Sequence, residues 1–159
     1  MAEVNMNLAR ETYKTLLKAI AENGWHCKQD DNEMCIDFGV NGDDLHMDFH
    51  VSIDAERQLV RLISRLPFRF PKEKIIDGAL ATSIANYVVC ADGSFDFNVL
   101  NGDVIFRMTT SYRSSVIASS ALVYLVNYAC WAVDKVNDKL LLVSNGIMSV
   151  EQFREFVKS

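Results

Sequence analysis

The chain has 159 residues, half of them hydrophobic, with 16 Lys and Arg against 21 Asp and Glu, for a net charge of −5. That length fits a single domain spanning 1–159, and the apolar fraction is enough for a sizeable core. A mildly acidic chain without a basic run argues against binding to a nucleic-acid backbone or an anionic membrane surface, both of which need clustered Lys and Arg.

The first predicted helix runs from about Asn7 to Glu22. Leu8, Leu16, Leu17 and Ile20 recur near one face, and Asn23-Gly24 supplies a stop. An extra short strand fits near Trp25 to Lys28. Met34, Ile36, Phe38 and Val40 then alternate up to Asn41-Gly42, and Leu45, Met47, Phe49, Val51 and Ile53 alternate away from it. If Asn41-Gly42 is a two-residue type I′ turn, Phe38 faces Leu45, Ile36 faces Met47 and Met34 faces Phe49, with every apolar residue on one side. A turn near Ala55-Glu56 starts a third strand, Gln58 to Leu66, with Val60 opposite Val51 and Leu62 opposite Phe49.

Pro67 and Pro71 mark the exit, and Pro71 suits the first turn of a helix, where no N–H is needed. That helix extends to about Val89, with Ile76, Leu80, Ile84 and Tyr87 on one stripe. A second hairpin turns at Asn101-Gly102, so that Val99 meets Val104, Phe97 meets Phe106 and Phe95 meets Met108. On its other face Asp96 sits across from Arg107. A long helix follows over about Val116 to Leu142, capped by Ser114 or Ser115. Leu122, Leu125, Ala129, Val133, Val136 and Leu140 form its core stripe, with Tyr124, Tyr128 and Trp131 beside or off it. Ser149 and Gln152 make a capping box for a short helical extension over about 147–159, carrying Val150, Phe153 and Val157.

The order α-βββ-α-ββ-α-α predicts an α+β fold, a largely antiparallel sheet with helices on one face. Met1 to Arg10 has no basic stretch followed by an apolar one, so no targeting signal is expected there. The longest apolar region, Val116 to Val143, is too interrupted by polar and charged residues to span a membrane. Cys27, Cys35, Cys90 and Cys130 form no C-x-x-C pair and read as reduced, buried thiols of a cytoplasmic protein.

Three segments carry a resemblance: Ile84-Ala85-Asn86-Tyr87, Gly93-Ser94-Phe95-Asp96-Phe97 and Asn101-Gly102-Asp103-Val104-Ile105-Phe106-Arg107. With the element order, they resemble the bacterial YbjN-like family of sensory transduction regulators, over roughly Trp25 to Val143. The resemblance implies a fold like that of the type III secretion chaperones and a non-enzymatic, often dimeric, protein-contacting module. It transfers no functional residue.

Among candidate sites, alternation puts His46, Asp48 and His50 on the outward face, with Cys35 opposite Asp48 and Asp37 opposite His46. Residues two apart on a strand lie about 6.6 Å apart, so His46 and His50 are about 13 Å apart. Two ligands of one zinc need bonds of about 2 Å each, so no metal is expected. No catalytic pairing, phosphate-cradling loop or calcium loop emerges, and no cofactor is expected. Phe68-Arg69-Phe70 beside Arg61 and Arg65 reads as an anchored connection with solvated arginines rather than a nucleic-acid platform.

The apolar surplus points to partner surfaces. Leu59 and Ile63 fall on the outer sheet face around Arg61, and Tyr124, Tyr128 and Trp131 exceed what one packed helix face can hold. These five residues are the candidate partner surface. The expectation is a protein-interaction module, chaperone-like or regulatory, that binds another protein or forms a homodimer. The competing reading is a regulatory domain holding a small molecule between sheet and helices.

Overall fold

The computed structural model describes residues 5–158. The remainder of the expected 1–159 domain, 1–4 and 159, lies outside the described residues. Helix α1 spans Met6–Glu22, the Asn5 side chain accepting from the Leu8 N–H at 3.0 Å. It ends as expected at Gly24, whose φ of +67° glycine adopts without steric cost. The strands are β1 (Lys28–Asp30), β2 (Cys35–Asn41), β3 (His46–Asp54), β4 (Leu59–Arg69), β5 (Ser94–Phe97) and β6 (Asp103–Ser111). The remaining helices are α2 (Ile75–Val88), α3 (Ser119–Ser144) and α4 (Val150–Lys158). The strands form one antiparallel sheet ordered β1-β2-β3-β4-β6-β5. The helices cover one face, over a core that includes Ile36, Phe49, Val51, Leu62, Phe95, Phe106, Leu122 and Leu125.

All three expected registers are displaced. Phe38 pairs with Phe49 rather than Leu45, Leu62 with Val51 rather than Phe49, and Phe97 with Val104 rather than Phe106. Neither Asn-Gly pair forms a two-residue turn. Residues 42–45 make a four-residue loop, closed by the Gly42 N–H on the Leu45 carbonyl at 3.0 Å. This loop is tied to α3 by the Asp43 N–H donating to Asp134 Oδ1 at 3.0 Å. A Cβ on Gly42 would run into that Asp134 carboxylate, so glycine serves the approach of α3 rather than a positive φ. At the second hairpin the Gly102 N–H returns to the Asn98 carbonyl at 2.8 Å, and Gly102 also bonds Phe70 through its own carbonyl at 2.9 Å. Tertiary contacts thus lengthen both loops. Every displacement is an even number of residues, which keeps the side chains that remain paired on their expected face, whereas Val99 leaves the strand and is exposed.

Other boundaries moved too. Strand β4 continues through Pro67, with an irregular register between Arg65 and Arg69 that absorbs the missing N–H. Pro71 precedes a 3-10 turn, Lys72–Lys74, before α2. Helix α3 begins at Ser119, behind an extended Ala118, and neither Ser114 nor Ser115 caps it. Ser114 instead takes φ +57° in the preceding turn, while Ile117 is buried. The capping box of α4 forms as expected: the Gln152 N–H donates to Ser149 Oγ at 3.1 Å, and the Ser149 N–H to Gln152 Oε1 at 2.9 Å.

Candidate protein-docking surface

Helix α2 packs through its small residues. Gly78, Ala81, Thr82 and Ala85 are buried, and the Thr82 hydroxyl donates to the Gly78 carbonyl at 2.9 Å. A Cβ on Gly78 would lie 2.6 Å from the Phe97 ring and 2.8 Å from that of Phe70. Those two rings meet edge to face at 5.5 Å. The helix therefore approaches the sheet too closely for any larger residue at position 78. At its far end the Asn86 amide accepts from the Phe95 N–H at 2.7 Å and donates to the Phe95 carbonyl at 3.0 Å, filling the free edge of β5 as a strand would.

This seating overturns the expected stripe. Ile76, Leu80 and Tyr87 do not face the core: they are 74%, 51% and 92% exposed, and only Ile84 is half-buried against it. Val88 is exposed as well. Val99 and Leu100, in the β5–β6 loop, are exposed too, Leu100 at 91%, but they stand beside Arg65 and Ile105 of the outer sheet face. Four large apolar side chains of α2 thus stand in solvent. Sequence reading missed them because the small residues of α2 repeat at helical spacing as regularly as the large ones; the run Gly78, Ala81, Ala85 was the available signal.

Of the residues expected to meet a partner, Leu59 and Ile63 lie half-buried on the outer sheet face around Arg61. Tyr124, Tyr128 and Trp131 form a ladder with ring centroids 5.7 and 5.5 Å apart. Tyr128 is committed within the chain, since its hydroxyl accepts from the Ala91 and Asp92 N–H groups at 2.7 and 3.1 Å and so clamps the loop that follows α2. The Tyr124 hydroxyl donates to the Asp92 carboxylate, and that bond raises its pKa above the ordinary tyrosine value. Helix α4 buries Phe153 and Val157 but leaves Trp131 51% exposed. Trp131 stands at a shallow cavity of about 270 Å³ with Asp43, Asp44, Asp134 and Phe156.

The outward histidines sit in pairs. His50 Nδ1 lies 2.8 Å from Asp37, and His46 Nε2 lies 3.3 Å from Asp48. The displaced register therefore sets Asp37 opposite His50, not His46, and Cys35 opposite Ser52, not Asp48. Among the described residues no group of three His, Cys, Asp or Glu side chains is gathered as a metal would need. Burial pushes the thiols of Cys90 and Cys130 up to about 11 and also raises those of Cys27 and Cys35, which keeps them protonated and poorly nucleophilic.

Among the described residues no helix is long and apolar enough to cross a membrane. No family model and no curated protein matches the sequence. Among solved structures, a chain of the ExsC–ExsE complex superposes with a TM-score of 0.55 at 15% identity, over 82% of this chain and 93% of that one. A chain of the HopA1–SchA chaperone–effector complex superposes with a TM-score of 0.49 at 18% identity, over 96% and 99%. The likeness to the first is one of fold: an α+β chain with a six-stranded antiparallel sheet and four helices, in the type III secretion chaperone-like arrangement.

Proposed function

We propose that this chain is a non-enzymatic, chaperone-like or regulatory protein-interaction module, related to the YbjN-like regulators, which acts in the cytoplasm as a homodimer and receives a protein partner. The observation that carries this reading is the exposed apolar side chains of α2, Ile76, Leu80, Tyr87 and Val88. Fully burying one such side chain contributes about 1.5–3 kcal/mol, so leaving this group in water is a standing cost that a cover removes. A two-fold contact is the commonest cover in soluble proteins. The half-exposed Tyr124 and Trp131 make a separate apolar patch for the partner. Light scattering across a concentration series tests the dimer. The expected result at high salt, where charge pairs are screened, is twice the chain mass for the parent protein and one chain mass for Leu80→Asp with Tyr87→Asp, with unchanged circular dichroism. A parent protein that stays monomeric at high concentration refutes it.

A further inference from the structure

We infer that the open face of the sheet is a second self-docking surface, which pairs with the same face of another copy about a two-fold axis parallel to the strands. Among the described residues no helix covers this face, and its charge is divided. On β2 and β3 the outward Asp37 and Asp48 have only His50 and His46 as ion-pair partners among the described residues. On β4, β6 and β5, Arg61 pairs with Asp54 of β3 at 3.1 Å and Arg107 with Asp96, while Arg65 and Arg69 share the single carboxylate of Asp103 at 3.0 and 3.6 Å. One half is therefore acidic and the other basic, with Ile63 and Ile105 half-buried on the basic side.

The observed register makes the two halves complementary level by level. Asp37, His50, Ile63 and Arg107 lie on one line across the sheet. Two residues along, Gly39 pairs with Asp48 and Arg65 with Ile105, and Asp48 and Arg65 line one cavity with His50 and Ile63. Because β3 and β4 are the central strands, an axis between them sets β3 over β4 and β2 over β6 of the other copy. Asp48 then meets Arg65, Asp37 meets Arg107, and Ile105 meets the gap left by Gly39, each contact occurring twice. Five strands at about 4.8 Å spacing and about 30 Å of β3 give a face of about 700 Å², close to the roughly 800 Å² that each partner contributes to a standard interface. Asp48 is 83% and Arg65 66% exposed, so both are free to re-pair across it.

Such a contact is electrostatic and weakens with salt, whereas the apolar α2 edge does not. Molar mass is measured by light scattering at fixed high protein concentration, in about 50 mM and about 500 mM salt, which shortens the screening length from roughly 14 Å to roughly 4 Å. The expected mass at low salt is twice that at high salt. Arg65→Asp alone, or Asp48→Arg alone, abolishes the doubling, and the charge-swapped double variant Asp48→Arg with Arg65→Asp restores it. Asp37→Arg with Arg107→Asp provides an independent swap should the first disturb Asp103. A mass that does not change with salt, or folded double swaps that both fail to recover the doubling, overturn the inference. The α2 contact is read separately, as the unit that persists at high salt.

Discussion

Helices α2 and α3 are both rich in apolar residues, yet they spend them in opposite directions. Helix α3 turns Leu122, Leu125, Val133, Val136 and Leu140 onto the sheet and the other helices, and all five are fully or almost fully buried. Helix α2 turns Gly78, Ala81 and Ala85 inward and holds Ile76, Leu80 and Tyr87 in solvent. The same composition thus builds a core in one helix and an exposed apolar face in the other. What separates them is the spacing to the sheet: Phe70 and Phe97 rise against α2 and admit only small residues, whereas the strands beneath α3 leave room for leucine.

The largest effect expected from this contrast belongs to α3. Leu125→Ala removes a side chain that is 1% exposed, and the cavity should cost about 2–5 kcal/mol of unfolding free energy in a denaturant titration. A loss below about 1 kcal/mol would mean that α3 is not the central helix of the core. Next comes the seat of α2. Gly78→Val forces a side chain against Phe97 and Phe70, and overpacking of this kind typically costs about 1–3 kcal/mol. The same experiment should show Ile76→Val, at a mostly exposed position, close to neutral.

The asymmetry between these helices explains what the residues disclosed and what they withheld. The element order, the facing of the five longer strands and the stripe of α3 follow from periodicity, which depends only on neighbours along the chain; the short β1 lies at Lys28–Asp30 rather than Trp25 to Lys28. The hairpin registers do not, because Asp134 draws the 42–45 loop toward α3 and Phe70 draws Gly102, and both partners are distant in sequence. The orientation of α2 was hidden for a related reason. Its large and small residues each repeat at helical spacing, and only the height of Phe70 and Phe97 above the sheet decides which set turns inward. The apolar residues exposed on α2 are therefore ones that sequence reasoning assigned to the core, while Tyr128, expected at a partner surface, is used to hold the loop after α2.

A smaller effect tests the tie between the two helices. Tyr124 on α3 donates to Asp92 just beyond α2, and its pKa lies above 10.0 in the folded chain, because of that bond first and burial second. The folded state thus holds the phenolic proton more tightly than the unfolded one. This contribution is complete below pH 10 and is lost as pH rises through the raised value. Tyr13 and Tyr112 are raised in the same direction, Tyr13 to about 12, so the parent protein should lose stability steadily above pH 10. Tyr124→Phe should make that alkaline decline shallower while changing stability little at pH 7. An unchanged slope would mean that the Tyr124–Asp92 bond does not persist in solution.

The smallest effect on the isolated chain is the most informative about function. Leu80 is half exposed and faces away from the sheet, so Leu80→Ala removes little buried area within one chain and should cost less than about 0.5 kcal/mol when unfolding is measured at low protein concentration. Ala is also the better helix former, which offsets part of that loss. In a dimer joined through α2, however, association adds to apparent stability in proportion to the logarithm of concentration. The parent melting temperature should therefore climb as protein concentration is raised, and Leu80→Ala should flatten the climb without moving its low-concentration limit. Leu125→Ala should do the reverse, lowering the limit and keeping the climb. If both substitutions lower the limit alike, then α2 packs as α3 does, and the contrast between the two helices on which the docking surface rests is wrong.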